Sequence, residues 1–322
     1  MRNKYAYNSE LAKAVRQLNA GALVVIPTET VYGLAANAYN DSAVQAIFRT
    51  KNRPANNPLI LHIKNAEELH TVAQNIPDLA WDLAKKFWPG PLTLILEKQK
   101  HISDLVSAKH PTIAVRVPNH ELTLKLLKKL DFPLVAPSAN RSNHISPTSP
   151  AHVRNSLGVK APFIIDGGPC AEGLESTIIG FDGEEVVLYR HGALPLEEIE
   201  SFIGKPVRLK EDNKTQGISP GSSKKHYSPN TAFSICSLPK RDFEQLFTRV
   251  GYLVFQKTFN VESPHVIHEL SPRGSLSETA ANLYDALHMM DDMQLDIIVA
   301  QRFPDVGIGK AINDRLSRAA AE

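Results

Sequence analysis

Two cations two residues apart, Lys51 and Arg53, are followed by Pro54, Asn57 and Pro58 before an apolar run that carries His62. Arginine offers a planar fork and lysine a point charge, both matched to phosphate oxygens. Prolines that stiffen the loop lower the entropy cost of ordering it around an anion. A solvated basic loop is the other reading of K-x-R. Arg116 stands inside the apolar stretch Ile113–Val117, where an unpaired charge is expensive. It must therefore face an internal carboxylate or an anionic ligand, and Thr112 stands at the far end of the same stretch. Ser138 and Asn140, flanked by Ala136 and Ser146, bring hydroxyl and amide groups to the end of another apolar run, or else form a capped turn.

Ser176-Thr177 opens a further run, and Arg190 closes the one after it. Thr28, Glu29, Thr30 and Tyr32 crowd a turn that ends at Gly33. That turn either holds an amino acid or simply exploits glycine's backbone freedom. Each cluster is weak alone. All of them fall just past buried runs, where open α/β sheets bind their ligands.

The common mechanistic signatures are missing: no G-x-x-x-x-G-K-[ST], no strand-anchored G-x-G-x-x-G, no H-E-x-x-H and no Cys/His zinc spacing. Lys plus Arg total 36 against 34 acids, a net charge of +2 that is too small to argue for a protein built to coat a polyanion, so any nucleic-acid contact must be local. Cys170 and Cys236 are too few for a disulfide framework and suit a reducing compartment. Cys170 has no sequence-adjacent activator, so it reads as a packed thiol. No apolar run reaches signal-peptide or membrane-spanning length, so the expectation is a cytoplasmic protein with no membrane partner.

The elements that must position these groups follow from periodicity. Ser9 caps a helix running through Leu11, Ala14, Val15 and Leu18, which Gly21 stops. Strands are expected at Leu23–Ile26, Leu59–Ile63, Leu92–Leu96, Ile113–Val117, Leu134–Ala136, Phe163–Ile165, Thr177–Ile179 and Val186–Tyr189. Helices are expected near Ser42–Thr50, Pro77–Phe87, Glu121–Lys129, Pro150–Leu157 and Pro195–Phe202, and the strand-to-strand step near Ile164–Tyr189 makes the sheet mixed. The polar stretch with Gly217, Pro220, Gly221 and Pro229 reads as a linker. Beyond it, strands at Ala232–Ile235, Tyr252–Phe255 and Ile297–Ala300 alternate with helices near Arg241–Phe247 and Leu276–Met290, the pattern of a small parallel α/β domain. At 322 residues, and roughly 150 per domain, the expected division is a first domain over 1–204, a linker or lid over 205–230 and a second domain over 231–322.

Taken together, Lys51-x-Arg53, Ser138-x-Asn140 and the Ser176-Thr177 strand entry resemble the YrdC-like threonylcarbamoyl-AMP synthase family. Pro220-Gly221-Ser222-Ser223-Lys224-Lys225-His226-Tyr227-Ser228-Pro229 and the stretch Gly309–Leu316 are similar to the linker and ending of its long, two-domain form. Ser222 stands where that family commonly has methionine. The resemblance implies a YrdC-like twisted open mixed sheet with helices, joined by a linker to a smaller Rossmann-like parallel α/β domain.

It also implies formation of L-threonylcarbamoyladenylate and pyrophosphate from L-threonine, bicarbonate and ATP, for a downstream tRNA threonylcarbamoyltransferase. Carried over by position, Lys51 and Arg53 would be catalytic. Thr30, His62, Arg116, Ala136 and Ser176 would hold threonine. Arg53, Asn57, Thr112, Ser138, Asn140, Ser146, Arg190 and Tyr227 would hold ATP. Mg²⁺ would bridge the phosphates with few protein ligands, Glu29 acting through water at most. Lys224, Lys225, His226 and Tyr227 would fold over the cleft as a lid that keeps water from the adenylate. Two rival readings are a non-catalytic protein binding transfer or double-stranded RNA in the same basic cleft, and a related carbamoyl-transfer enzyme. RNA binding through phosphates would weaken steeply with salt, whereas pocket-held ATP would not.

Overall fold

The computed structural model describes residues 4–210, 225–237 and 242–321. Its first lobe runs α1 (Lys4–Asn19), β1 (Val24–Ile26), β2 (Gly33–Asn37), α2 (Asp41–Lys51), β3 (Ile60–His62), α3 (Leu69–Val72), α4 (Asp78–Phe87), β4 (Leu92–Glu97), α5 (Asp104–Ser107) and β5 (Thr112–Arg116). It continues through α6 (Glu121–Leu127), β6 (Leu134–Val135), α7 (Pro150–Leu157), β7 (Phe163–Ile164), β8 (Thr177–Asp182), β9 (Glu185–Arg190), α8 (Leu196–Ile203) and β10 (Arg208–Leu209). Helix starts follow local chemistry: Asn40 accepts from the Ala43 N–H at α2, and Ser149 accepts from the His152 N–H at α7, whose first residue is Pro150.

The ten strands form one mixed sheet in the order β10-β9-β8-β4-β5-β3-β6-β2-β1-β7. Parallel pairing of β3 with β5 sets His62 beside Arg116, and antiparallel pairing of β8 with β9 sets Ile178 opposite Arg190. Side chains alternate across the sheet. Leu61, Leu94, Val115 and Ile179 face the main core beneath α2, α4 and α8. Ile60, Ile95, Ala114 and Ile178 form a small apolar floor on the opposite face, and by the same alternation His62, Arg116 and Thr112 share that face.

The second lobe runs β11 (Ala232–Cys236), α9 (Phe243–Leu246), β12 (Val250–Val254), β13 (Val266–Glu269), α10 (Leu276–Asp291), β14 (Ile297–Gln301) and α11 (Gly309–Ala319). Its four strands are all parallel, ordered β11-β14-β12-β13. Past β14 the chain seals its own crevice: Asn313 accepts from the Phe303 N–H at 3.0 Å and donates to the Phe303 carbonyl at 3.0 Å. A Cβ at Gly309 would lie 1.9 Å from the Pro304 carbonyl oxygen. No helix among the described residues is long and apolar enough to cross a membrane.

Six elements are not foreseen from sequence: β2, β10, β13, α11 and the one-turn helices α3 and α5. β2 passes through Leu34, Ala35 and Ala36, and alanine carries little strand signal. β10 takes Arg208 and Leu209 into the first sheet from a stretch read as linker. β13 and α11 were not read as elements at all. The linker positions Gly217, Pro220, Gly221, Ser222 and Lys224 lie outside the described residues.

The lobes share apolar contacts. Val31, Ile145 and Leu174 of the first lobe join Leu283, Tyr284 and Leu287 of α10, with Tyr227, in one buried cluster. Gly173, at φ +71°, lets the first lobe meet α10 closely, since a Cβ there would stand 2.4 Å from the Ala280 carbonyl oxygen. Gly173→Ala is therefore expected to cost about 2–4 kcal/mol, combining left-handed strain with overpacking. Gly204→Ala is the control: φ is +68° there but nothing lies within 4 Å of the added Cβ, so only the strain, about 1 kcal/mol or a little more, remains. Urea unfolding of the two variants separates the contributions. Equal losses would show that the close approach to α10 is of no consequence.

A guanidinium-lined cleft in the first lobe

On the open face of the first sheet, a cavity is bounded by Thr28, Thr30, Val31 and Gly33, by Arg53, Pro58, Ile60 and His62, and by Arg116 and Ala136–Ser138. Glu175, Ser176 and Arg190 close its far side, and His226 and Tyr227 roof it.

The turn after β1 is organised by hydroxyls. Thr28 Oγ1 donates to the Val31 carbonyl at 2.6 Å, so the proton shared with Thr30 Oγ1 at 2.8 Å is donated by Thr30. Thr30 Oγ1 in turn accepts from Arg116 Nη1 at 3.0 Å, while Arg116 Nε donates to the Gly90 carbonyl at 3.1 Å. Arg116 Nη2 stands 2.6 Å from Glu29 Oε1, both side chains buried. This is an ionic contact without hydrogen-bond alignment, for that nitrogen and both Glu29 oxygens have no hydrogen-bond partner among the described residues. Of the two alternatives open for Arg116, the structure provides the internal carboxylate, and the side chain also lines the cavity.

Next to it, burial and then the Arg116 charge push the His62 pKa down to about 3. The ring is neutral at physiological pH. His62 Nδ1 lies 3.2 Å from the Ile60 carbonyl, an oxygen that can only accept, so Nδ1 carries the proton and Nε2 is left as an acceptor.

Arg53 is fixed by its own loop. Its Nε donates to the Asn57 carbonyl at 3.2 Å, and Nη2 donates to Asn57 Oδ1 at 2.5 Å and to the Pro58 carbonyl at 2.9 Å. Arg190 donates from Nε and Nη2 to the Ser176 carbonyl, at 3.1 and 2.8 Å, and from Nη2 to Ser176 Oγ at 3.1 Å. Ser176 Oγ is also 2.7 Å from Thr93 Oγ1.

Of the residues singled out from sequence, Thr30, Arg53, His62, Arg116, Ala136, Ser138, Ser176, Arg190 and Tyr227 line this one cavity. Lys51, Asn57, Asn140, Ser146 and Thr112 do not. Lys51 lies behind the wall, 1% exposed, donating to the Ser138 and Asn140 carbonyls at 2.5 Å each. Burial, then repulsion from Arg53, lowers its pKa well below the ordinary lysine value. Asn57 braces Arg53, and Asn140 Nδ2 pins its own loop through the Arg141 and His144 carbonyls at 2.8 and 2.7 Å. Ser146 Oγ donates to Glu175 Oε1 at 2.6 Å. Thr112 lies at the opposite end of β5 from Arg116, paired with Glu97.

Sequence reasoning gives no individual role to Thr28 or Glu175, and it gives His226 one only as part of the lid. Glu175 could not be ranked from sequence because its partners Tyr284 and Arg315 lie more than a hundred positions away. Cys170 is buried, and burial with the nearby Glu29 charge raises its thiol to about 12, an inert group as expected.

The roof is the chain between the lobes. The His226 N–H donates to the Arg318 carbonyl at 3.1 Å, the Ser228 N–H to Asn143 at 2.9 Å, and Ser228 Oγ to Ala319 at 3.1 Å. Tyr227 sits at φ 63°, is 1% exposed and stacks beside His226 with ring centroids 4.0 Å apart. Its Oη and His226 Nδ1 are buried without a hydrogen-bond partner among the described residues. Lys225 stands beside them, whereas Lys224 lies outside the described residues. Among those residues no group of three or more His, Cys, Asp or Glu is placed to hold a metal ion.

Three buried histidines make the fold acid-sensitive. Burial, the largest influence, depresses His62 and His226 to about 3, and burial together with the stacked His152 depresses His288 to about 4. Each folded value lies below the unfolded one near 6.5. The stability each contributes is therefore complete above about pH 6.5 and is lost as pH falls towards the folded values. Urea unfolding between pH 6.5 and 5 is expected to lose up to about 1.4 kcal/mol per pH unit per histidine as the limit is approached. A flat profile over that window would show that these rings are not held neutral.

Residues 16–192 match the Sua5/YciO/YrdC family model, described as "Telomere recombination", and residues 194–321 match the model "Threonylcarbamoyl-AMP synthase, C-terminal domain". A Bacillus subtilis threonylcarbamoyl-AMP synthase is 40% identical over 97% of this chain and 93% of its own length. A Mycobacterium tuberculosis putative threonylcarbamoyl-AMP synthase is 31% identical, covering 60% of this chain and 89% of its own length. The crystal structure of Pyrococcus abyssi Sua5 complexed with L-threonine superposes with a TM-score of 0.88 at 39% identity, covering 96% of this chain and 94% of that one.

Proposed function

The chain belongs to the threonylcarbamoyl-AMP synthase family, in its two-domain form, and from this premise we propose how the cleft performs the synthesis. The enzyme is a nucleotidyltransferase that uses threonine and ATP to make threonylcarbamoyl-AMP for N6-threonylcarbamoyladenosine in tRNA. In our reading, Thr30, His62, Arg116, Ala136 and Ser176 hold L-threonine. Arg53, Ser138, Arg190 and Tyr227 hold ATP, with Asn57, Asn140 and Ser146 bracing them and Thr112 on the same sheet face. The division into 1–204, 205–230 and 231–322 is proposed on the same footing.

One observation carries this reading: Arg53, Arg116 and Arg190 line a single cavity roofed by buried polar atoms, Tyr227 Oη and His226 Nδ1, that lack partners among the described residues. A bound nucleotide supplies acceptors for the guanidinium donors and a partner for Tyr227 Oη. Arg116 Nη2 suits the threonine carboxylate, and His62 Nε2 suits its amine or hydroxyl as an acceptor. The amine nitrogen bonds to the bicarbonate carbon as a C–O bond breaks and water leaves, giving a carbamate. A carbamate oxygen then bonds to the α-phosphorus as the bond to the β-phosphate oxygen breaks, and pyrophosphate leaves.

Both reactants are anionic. The guanidiniums screen them and meet the charge that grows on the leaving group. Lys51 acts one step back, holding the Ser138–Asn140 turn. The carboxylates at the cavity, Glu29 and Glu175, already face Arg116 and Arg315. This chain's donors therefore fit Mg²⁺ arriving as part of MgATP, held by phosphates and water. Two free cysteines support a cytoplasmic setting, and a tRNA threonylcarbamoyltransferase is the proposed recipient of the product.

The test is incubation with MgATP, bicarbonate and each amino acid in turn while pyrophosphate is followed. Release that requires threonine is expected. Release that is indifferent to threonine, or ATP binding that collapses with salt as RNA binding would, removes this reading.

A further inference from the structure

Glu175 places a carboxylate in the wall of a cavity whose proposed guest carries the most negative charge of any substrate. It is 7% exposed, and its three close donors come from both lobes. Ser146 Oγ of the first lobe reaches Oε1 at 2.6 Å. Tyr284 Oη, from α10, lies 3.1 and 3.0 Å from the two oxygens. Arg315 Nε, from α11, donates to Oε2 at 2.7 Å. Of these three donors only Arg315 is charged.

Arg315 is itself 1% exposed and committed to this junction. It donates to the His191 carbonyl at 2.9 Å, pairs with Asp314, and sets its guanidinium carbon 4.9 Å from the centre of the Tyr227 ring. One side chain of the second lobe thus touches both the pocket carboxylate and the roof. Burial alone would push Glu175 up, but Arg315, then Arg190 and the Ser146 hydrogen bond, outweigh it and hold the carboxyl at about 2. It is an anion throughout the physiological range, so its charge must be balanced by a neighbour and not by a proton.

We propose that Arg315 is a positioning residue of the nucleotide pocket: it compensates Glu175 from the second lobe, so that the triphosphate meets a cationic wall and Tyr227 is seated above it. This inference rests on the reading that ATP occupies the cleft. On it, the C-terminal lobe is a working part of the active site although none of its described side chains lines the cavity. Removing one partner of a buried pair leaves the other's charge exposed to whatever enters next. At separations of several ångströms and an effective dielectric near ~20, that repulsion is large enough to govern anion binding.

The experiment compares the affinities of the full chain for ATP and for adenosine, at fixed ionic strength, by titration calorimetry. Arg315→Met is expected to weaken ATP roughly 10- to 100-fold while adenosine changes by less than about threefold. Glu175→Gln is expected to bind ATP at least as tightly as the parent, and Glu175→Gln with Arg315→Met to recover most of the loss, the signature of a pairwise charge interaction. Equal losses of ATP and adenosine in Arg315→Met would reduce Arg315 to a structural anchor and overturn the proposal. A double variant as weak as Arg315→Met alone would do the same.

Should Arg315→Met fail to fold, Glu175→Gln decides alone: selective weakening of ATP by that change sinks the idea. Arg53→Ala separates this inference from the reading beneath it. If Arg53→Ala leaves ATP binding intact, the pocket is misassigned. If it weakens ATP and Arg315→Met does not, only the role of Arg315 falls.

Discussion

Arg116→Gln is expected to abolish threonine-dependent pyrophosphate release and to lower the stability of the fold by about 3–5 kcal/mol, the range for breaking a buried ion pair from one side. The size follows from what is left behind. Glu29 and Arg116 are 6% and 4% exposed at their side chains, 2.6 Å apart, and glutamine leaves the Glu29 carboxylate without its counter-charge. Thr30 Oγ1 and the Gly90 carbonyl lose their donors at the same stroke. Arg116→Gln combined with Glu29→Gln discriminates between the two losses. The pair of changes should restore most of the stability in urea unfolding, because no charge is stranded. It should restore no activity, because the threonine carboxylate still lacks its guanidinium. Recovery of both would mean that Arg116 serves the fold alone.

Lys51→Met is expected to reduce activity by roughly 100-fold or more, the scale for reacting groups displaced by about an ångström, although Lys51 does not line the cavity. Its ammonium binds the carbonyls of Ser138 and Asn140, and methionine fills similar space without a donor. Two buried acceptors are then left unpaired at about 1–3 kcal/mol each, and the turn that presents Ser138 to the cavity relaxes. The effect should fall chiefly on ATP, as a raised KM and a lowered kcat. Lys51→Met and Ser138→Ala together should cost less than the sum of the two, since both act through one turn. Full additivity would place the lysine in direct contact with the reactants instead. Lys51→Arg is not expected to rescue, because a planar fork cannot occupy the single point between two carbonyls.

How far the sequence revealed this site depended on the range of the interactions. The strands around His62, Arg116, Ser176 and Arg190 were legible because short apolar runs between turn residues mark buried strands. The clusters past their ends were legible because that is where such sheets bind ligands. A buried arginine inside Ile113–Val117 announced its need for a counter-charge, yet nothing local chose between Glu29 and a ligand. β2 escaped because Leu34-Ala35-Ala36 has too little side chain to declare a strand. The role of Lys51 was half legible: a cation next to Arg53 was plain, but its target, two backbone carbonyls, has no residue-type signature. Glu175 with Tyr284 and Arg315 was illegible in principle from one sequence, because the partners meet only when two separate sheets pack.

The second lobe is an all-parallel sheet in the order β11-β14-β12-β13, with the mouth beyond its strand tips laced shut by Asn313 on Phe303 and plugged by the Pro304 carbonyl against Gly309. A doorway bricked up with its own masonry admits no guest, but it makes a better buttress. Asn313 stands on the same helix as Arg315, two residues before it, so the lacing that closes one lobe also steadies the arginine presented to the other. Selection on that lobe would then act on immobility, and softening it would be felt as a leaking adenylate rather than as the loss of any ligand of its own.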